Sequence, residues 1–377
     1  MCNNCSMKII IDANISSLDV FANLGQVITY LGHEITSEVV AEADVLLVRS
    51  QTSVNEQLLA SSKVQFVGTA TAGTNHIDLV YLKQRNIAFA SAPGANAHAV
   101  VDYVIAAIMH LSKQTEQDWM DKTYGIVGMG YVGAELYARL SSLGLSVMVN
   151  DPPLENSSGS SAYQFSDLDT ILAECDVVSV HSSLTHPHNS KHPSYHLLAR
   201  DNLSLLKENA WLINAARGEI IEPRSLLAVL SHKPDVQVVL DVFANEPYLE
   251  PELVNKLALA TPHIAGYTSD AKVQASQMLY KSLCAYLQLT PPTKSKLDTP
   301  DTIDGNTDLA QLVKCAYDIA QDDKQLRAIV NLTPSEQAAA FYSLRSNYRL
   351  RKSFYNYQIS GVDKSTAHIL ASFGFQI

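Results

Sequence analysis

The chain is 377 residues long, 47% hydrophobic and 17% charged, with a formal net charge of −11. That size corresponds to two or three domains of a globular protein. So acidic a surface argues against nucleic acid and anionic membranes as partners, and it requires any anionic substrate to be captured by a local cluster of cations.

The opening Met1-Cys-Asn-Asn-Cys-Ser lacks the basic-then-apolar order of a signal peptide, which points to the cytoplasm. Its Cys2-x-x-Cys5 spacing could be redox-active or half of a zinc site, but no second pair completes it. Residues 1–6 therefore read as a disordered extension ahead of a domain starting at Met7. The five cysteines are odd in number and scattered, which is no disulfide framework. Residues 7–96 alternate apolar runs (8–12, 45–49, 64–68, 87–91) with helical patterns at 55–61 and 78–84. Strands alternating with helices predict a parallel sheet covered on both faces. Pro93-Gly94 breaks the pattern as a hinge.

The stretch 99–111, within a helical pattern over 97–111, is the most apolar in the chain. It carries Asp102 and falls short of the roughly 18–20 residues of a spanning helix, so it predicts a buried helix. Strands follow at 123–127, 146–150, 177–181, 211–214, 236–241 and 258–260, defining a second doubly wound unit over 97–267. Residues 268–289 are helical with no strand after them and return to the first domain, which then comprises 7–96 and 268–289. Pro291-Pro292 ends that helix. Residues 290–377 form a third, α+β block with helices at 307–322 and 334–349 and a final strand at 354–360. About 80 residues is small for an independent core, so the block should pack against another surface. Its Arg345, Arg349, Arg351 and Lys352 read first as a solvated basic face and second as an anion site.

Gly128-Met-Gly130-Tyr-Val-Gly133 follows an apolar strand and opens a helix, as G-x-G-x-x-G requires in a dinucleotide site. Gly128 permits the tight turn, Gly130 lets the backbone approach a pyrophosphate, and Gly133 lets the helix pack on the strand. The phosphates then sit on the exposed N–H groups at the helix start. Asp151 ends the next strand, close to the roughly 20-residue interval expected of the ribose-binding acid. A carboxylate there accepts both ribose hydroxyls and repels a 2′-phosphate, favouring NAD over NADP.

Asn214-Ala215-Ala216-Arg217-Gly218, Asp241-Val-Phe-Ala-Asn-Glu246 and Thr261-Pro-His263 each follow a predicted parallel strand. Ligands of open α/β sheets bind at such strand ends. An arginine grips a carboxylate with a forked pair of hydrogen bonds, and a histidine paired with a glutamate moves a proton. Arg217, Glu246 and His263 are thus the equipment for hydride transfer at a 2-hydroxy acid. Asp241 could accept from a nicotinamide carboxamide. Gly68-Thr-Ala-Thr71-Ala-Gly73-Thr74 follows a strand of the first domain, and its small residues leave backbone N–H groups free to bind a carboxylate; Arg49 and Ser50 likewise end a strand, and Arg49 is a candidate for a phosphate. The segment 181–196 carries five histidines, which read as a solvated loop near the cofactor and not as a metal site.

These motifs resemble the D-isomer-specific 2-hydroxyacid dehydrogenases. The resemblance runs from Met7 to the end through Val48-Arg-Ser50, residues 66–74, Ala92-Pro-Gly94, Asp151-Pro-Pro153, residues 213–218, residues 261–268 and Ala371-Ser-Phe-Gly-Phe375. It implies two Rossmann-like domains, the first flavodoxin-like, with an interdomain cleft, plus a small C-terminal dimerisation domain. It further implies NAD contacts at Gly128, Gly130, Tyr131, Val132, Gly133, Asp151, Ser182, Ala215, Ala216, Arg217, Asp241 and Gly266. Substrate contacts would be Ser50, Thr71 and Tyr267, with Arg49 nearby, and Arg217, Glu246 and His263 would be catalytic. Within the family it points to the members that oxidise 4-phospho-erythronate to 2-oxo-3-hydroxy-4-phosphobutanoate in pyridoxal 5′-phosphate synthesis, acting as homodimers. A phosphoglycerate- or glycerate-type dehydrogenase, or a non-enzymatic NAD-sensing dimer, are the alternatives.

Overall fold

The computed structural model describes residues 7–157, 163–291, 299–349 and 351–377. Cys2 and Cys5, and with them the expected extension, lie outside the described residues. The chain divides into two compact units, Met1–Asn96 with Thr268–Leu297 and Ala97–Tyr267 with Asp298–Ile377.

The first unit holds five parallel strands: β1 (Lys8–Asp12), β2 (Gln26–Tyr30), β3 (Val45–Val48), β4 (Phe66–Thr69) and β5 (Ala88–Ser91). Their order, β2-β1-β3-β4-β5, is the flavodoxin-like arrangement. Val45 to Val48 and Phe66 to Thr69 are buried throughout, which is why they read as continuous apolar runs. Helix Ser269–Tyr286 covers one face and sends Leu279, Tyr280 and Leu283 into the core beside Ile9 and Phe21. Strand β2 is absent from the sequence reading. Its residues are half-buried or exposed at the sheet edge, so Gln26-Val-Ile-Thr-Tyr30 forms no apolar run.

The second unit begins with helix Ala97–Thr115 and carries β6 (Tyr124–Val127), β7 (Val147–Asn150), β8 (Val177–Val180), β9 (Trp211–Asn214), β10 (Gln237–Leu240) and β11 (Leu259–Ala260). All pair in parallel, in the order β11-β10-β9-β8-β6-β7. A single bridge, Val149 to Phe165, stands where a further edge strand would extend the sheet beyond β7. The order reverses between β6 and β8, and that switch point is where such sheets bind ligands.

Residues 298–377 share this second unit. They contain β12 (Asp301–Asp304) and β13 (Tyr357–Ser360), paired in parallel, with helices Leu309–Ala316, Ile319–Arg327, Pro334–Ser346 and Lys364–Ser372. Leu312, Val313, Tyr317, Phe354 and Phe373 enter one hydrophobic cluster with Tyr103, Val104 and Ile108 of helix Ala97–Thr115. The helix expected over 307–322 is broken in two. Tyr317 takes extended backbone at the break, and its buried ring lies 4.0 Å beneath the Arg351 guanidinium. The basic cluster is not, as a whole, a solvated face. Arg351 is only 4% exposed and Arg345 is half-buried, while Arg349 reaches Gln321 and the Asp318 carbonyl at the surface.

Candidate active site and comparisons with known proteins

In the second unit, six strand ends carry the expected site residues in a row. Asp151 follows β7, the glycine loop β6, Ser182 β8, Arg217 β9, Glu246 β10 and His263 β11. The parallel register sets β9, β10 and β11 side by side, so the three catalytic candidates leave adjacent strands.

The glycine loop fits a pyrophosphate. Gly128 has φ +97°, and a Cβ there would stand 2.6 Å from the Ser182 nitrogen. The turn therefore needs glycine both for its backbone and for its contact with the loop after β8. A Cβ on Gly133 would meet the Gly128 carbonyl oxygen at 2.0 Å, so the helix Tyr131–Ser142 packs against the turn itself. At Gly130 nothing lies within 4 Å of a Cβ position, which leaves open space at the helix N-terminus. Tyr131, 65% exposed, and Val132 begin that helix. Asp151 accepts from the Met129 N–H through Oδ2 (2.8 Å) and from the Leu154 N–H through Oδ1 (2.9 Å). It straps the glycine loop and caps the next helix, and each oxygen keeps a lone pair for a ribose hydroxyl.

Asn214 shapes the loop after β9. Its Nδ2 donates to the Arg217 carbonyl (2.9 Å) and its Oδ1 accepts from the Ala216 N–H (3.0 Å). Ala215, Ala216 and Arg217 thereby follow a fixed path, and Arg217 Nη1 donates to the Ala216 carbonyl (2.7 Å). A Cβ on Gly218 would stand 2.0 Å from the Phe243 carbonyl carbon, so the β9 and β10 loops touch backbone to backbone. Glu246 Oε1 accepts from the Phe243 N–H (3.0 Å), and its Oε2 lies 2.8 Å from His263 Nδ1. A carboxylate only accepts, so Nδ1 carries the proton and Nε2 is the nitrogen left for a ligand. Burial alone would raise the Glu246 carboxyl, but the hydrogen bond and charge of His263, the Phe243 N–H and the charge of Arg345 hold it below its ordinary value.

His263 sits at φ +56°, a conformation that costs energy in a non-glycine residue and needs its surroundings to fix it. Asp241 supplies that fixing. Its Oδ1 accepts from the Thr261 hydroxyl (2.6 Å) and the Ile264 N–H (2.8 Å), and its Oδ2 from the Ala265 N–H (2.8 Å). The Thr261 hydroxyl is also 2.8 Å from the Tyr103 hydroxyl in the buried helix. Burial pushes the Asp241 carboxyl up to about 6, against the pull of His263 and these donors. The sequence assigns Asp241 to a nicotinamide carboxamide; in the structure its first task is to hold the histidine loop. Gly266 and Tyr267 continue that loop, with the Tyr267 N–H donating to the Ile264 carbonyl (2.8 Å).

Ser182 donates to the Val127 carbonyl at 3.2 Å. Beside it, His181 Nε2 is 2.8 Å from the Ser179 hydroxyl, and burial pushes its imidazole down to about 3. Further along, His186 stacks on His188, and Tyr195 stacks on His196.

In the first unit, Thr69 Oγ1 lies 2.7 Å from Thr71 Oγ1 and 2.9 Å from His76 Nε2, and Thr71 donates to the Gly73 carbonyl. Arg49 Nη1 donates to the Asn14 carbonyl (3.1 Å), and Ser50 is exposed just beyond it. Lys272 was not anticipated from the sequence. Burial, and then the like charge of Arg49, lower its ammonium.

The fold and the strand-end row define a class. Residues 97–265 match the family described as D-isomer specific 2-hydroxyacid dehydrogenase, NAD binding domain, and residues 289–374 match a domain of unknown function, DUF3410. NAD is accordingly the cofactor, and the chain is an NAD-dependent oxidoreductase. Solved structures of the same fold include an NAD+-bound 3-phosphoglycerate dehydrogenase from Entamoeba histolytica (TM-score 0.64, 23% identity, 78% of this chain and 100% of that one). A D-lactate dehydrogenase from Aquifex aeolicus, complexed with NAD and lactic acid, gives TM-score 0.59 and 20% identity over 74% of this chain and 95% of that one. Among curated relatives, erythronate-4-phosphate dehydrogenase of Marinobacter nauticus is 39% identical over 98% of this chain and 100% of its own length. The protein of that name from Proteus mirabilis is 38% identical over 98% and 99%. The chain belongs to the erythronate-4-phosphate dehydrogenase family.

Proposed function

We propose that this chain oxidises 4-phospho-D-erythronate at C2 to (R)-3-hydroxy-2-oxo-4-phosphobutanoate, a step of pyridoxal 5′-phosphate synthesis. The observation that carries the reading is the 2.8 Å pair between Glu246 and His263, which lie in the loops after β10 and β11, beside the β9 loop that carries Arg217, in a chain 39% identical to an erythronate-4-phosphate dehydrogenase over that relative's full length. His263 Nε2 takes the C2 hydroxyl proton as the C2–H bond breaks. Glu246 holds the ring in the tautomer that leaves Nε2 free to accept, and its negative charge stabilises the imidazolium that forms. Arg217 grips the C1 carboxylate and draws electron density onto the C2 oxygen as it becomes a carbonyl. Bound NAD supplies the hydride acceptor. Gly128, Gly130, Tyr131, Val132, Gly133, Asp151, Ser182, Ala215, Ala216 and Gly266 line its side of the reaction, and Asp241 keeps His263 in register. Ser50, Thr71, Tyr267 and Arg49 complete the substrate contacts.

We also place the enzyme in the cytoplasm as a homodimer formed through the C-terminal block. Buried, unpaired Cys175 and Cys284 suit a reducing compartment. No described helix is long and apolar enough to cross a membrane. Half-exposed Tyr342 on helix Pro334–Ser346 and exposed Leu332 just before it offer apolar surface for a second copy.

The test is NAD reduction with 4-phospho-D-erythronate, run with and without an added 2-oxo acid to reoxidise any NADH held in place. Turnover should vanish in His263→Ala and fall by about two to four orders of magnitude in Arg217→Ala, as loss of a general base or an electrostatic clamp does. Undiminished turnover in both variants would refute the assignment.

A further inference from the structure

We propose that Arg345, contributed by the C-terminal block, recognises the phosphate of the substrate beside the catalytic histidine. Four observations converge on it. Arg345 Nη2 donates to the Tyr267 hydroxyl at 3.1 Å, and its guanidinium lies 5.7 Å from the centre of that ring. Tyr267 belongs to the same loop as His263 and is tied to it through the Ile264 carbonyl. Arg345 Nε is buried and has no hydrogen-bond partner, which is uncommon for a guanidinium that serves only to staple two helices. Its charge also reaches the Glu246 carboxyl that holds the histidine.

The chemistry requires such a group. The substrate carries a carboxylate at one end and a phosphate at the other, and the chain's net charge is −11. Arg217 serves one end, so the other needs its own cation. A planar guanidinium held beside a tyrosine hydroxyl has the forked donor geometry that suits phosphate oxygens, and its buried Nε N–H lacks a partner within the chain. Arg345 sits in the last turn of helix Pro334–Ser346, where the helix dipole favours a cation. The segment that distinguishes this chain from shorter dehydrogenases thereby enters substrate selection directly.

This inference rests on the proposed reaction, and the experiment separates the two. The ratio of kcat/KM for 4-phospho-D-erythronate to that for unphosphorylated D-erythronate is measured in wild type, Arg345→Gln and Arg345→Lys. The protection of the full-length chain by inorganic phosphate against thermal unfolding is measured alongside. In Arg345→Gln the ratio should drop about 30-fold, or ~2 kcal/mol at about 1.4 kcal/mol per decade, chiefly through KM. Phosphate protection should disappear, and Arg345→Lys should restore part of both. Equal losses on the two substrates would make Arg345 a positioning residue for Glu246 and His263 and overturn the proposal. An unchanged ratio would overturn it in favour of Arg49 and Lys272. If wild type turns over neither substrate, the proposed reaction fails, and phosphate protection alone then decides whether Arg345 binds phosphate: its loss in Arg345→Gln supports the site, its persistence refutes it.

Discussion

Asp241 shows how one buried side chain can control a catalytic group it does not touch through its own side chain. Three donors of the 261–265 loop converge on its two oxygens, and the loop they fix holds His263 at φ +56°. In Asp241→Asn one acceptor becomes an N–H donor and faces one of those donors. An orphaned buried donor costs about 1–3 kcal/mol, and the loop it belonged to positions the base. We expect kcat to fall by about one to two orders of magnitude, in line with displacement of a general base. The pH dependence has a definite sign. A carboxyl pushed up to about 6 from its ordinary value of 3.8 binds its proton more tightly when folded. Its contribution to stability is fully present below the unfolded value and is lost as pH rises through the folded one. The unfolding free energy of wild type should therefore gain on that of Asp241→Asn as pH is lowered from 7 towards 4, by at most about 3 kcal/mol, and the melting temperatures of the two should draw apart in the same direction. A gap that is constant or narrows on acidification would rule out this account of Asp241.

At the scale of elements, the glycines of the β6 and β9 loops separate folding from binding. Gly218 lies where two loop backbones touch, whereas Gly130 borders space that the chain leaves open. Gly130→Ala should change thermal stability by no more than about 0.5 kcal/mol while weakening NAD binding by roughly tenfold or more, since the added methyl stands where the pyrophosphate approaches. Gly218→Ala should cost about 1–3 kcal/mol, because its Cβ drives the Phe243 backbone away and pulls Arg217 and Glu246 apart. Calorimetry and NADH titration of both variants check the contrast, and equal destabilisation of the two would defeat it. These positions were legible in the sequence because glycine patterns and strand-end placement are local properties. Buried strands were legible for the same reason: Val177 to Val180 and Trp211 to Asn214 are apolar on both faces or nearly so. What escaped depends on tertiary partners. Strand β12 is Asp-Thr-Ile-Asp, polar and exposed, and exists by pairing with β13. The break at Tyr317 follows from the burial of its ring under Arg351. The placement of Arg345 on Tyr267 spans 78 positions of sequence, which no local pattern encodes.

At the scale of the molecule, the C-terminal block completes the second unit. Asp102, buried in helix Ala97–Thr115, accepts from Arg139 Nη1 (2.7 Å) and from the Phe354 N–H (2.8 Å), so a backbone donor of the block helps to satisfy it. Arg351 Nη2 donates to the Ala265 carbonyl (2.6 Å) next to the histidine loop. Helix Ile319–Arg327 closes the β11 side of the sheet: Asp323 accepts from the Ala260 N–H (2.8 Å), and Arg327 donates to the Val254 and Leu257 carbonyls (2.8 Å each). Removing the block would expose an apolar core face, a sheet edge and a buried carboxylate stripped of one donor, each a separate route to aggregation. A chain ending at residue 291 should therefore aggregate or fail to bind NAD, and residues 299–377 alone should show no cooperative melting. Full-length protein, measured beside them by light scattering, should behave as a particle of two chains. A truncated chain that is monodisperse, melts cooperatively and binds NAD with wild-type affinity would mean that the block is an appendage. Loss of folding together with the block would instead tie the block and the loop that carries His263 to one hydrophobic core.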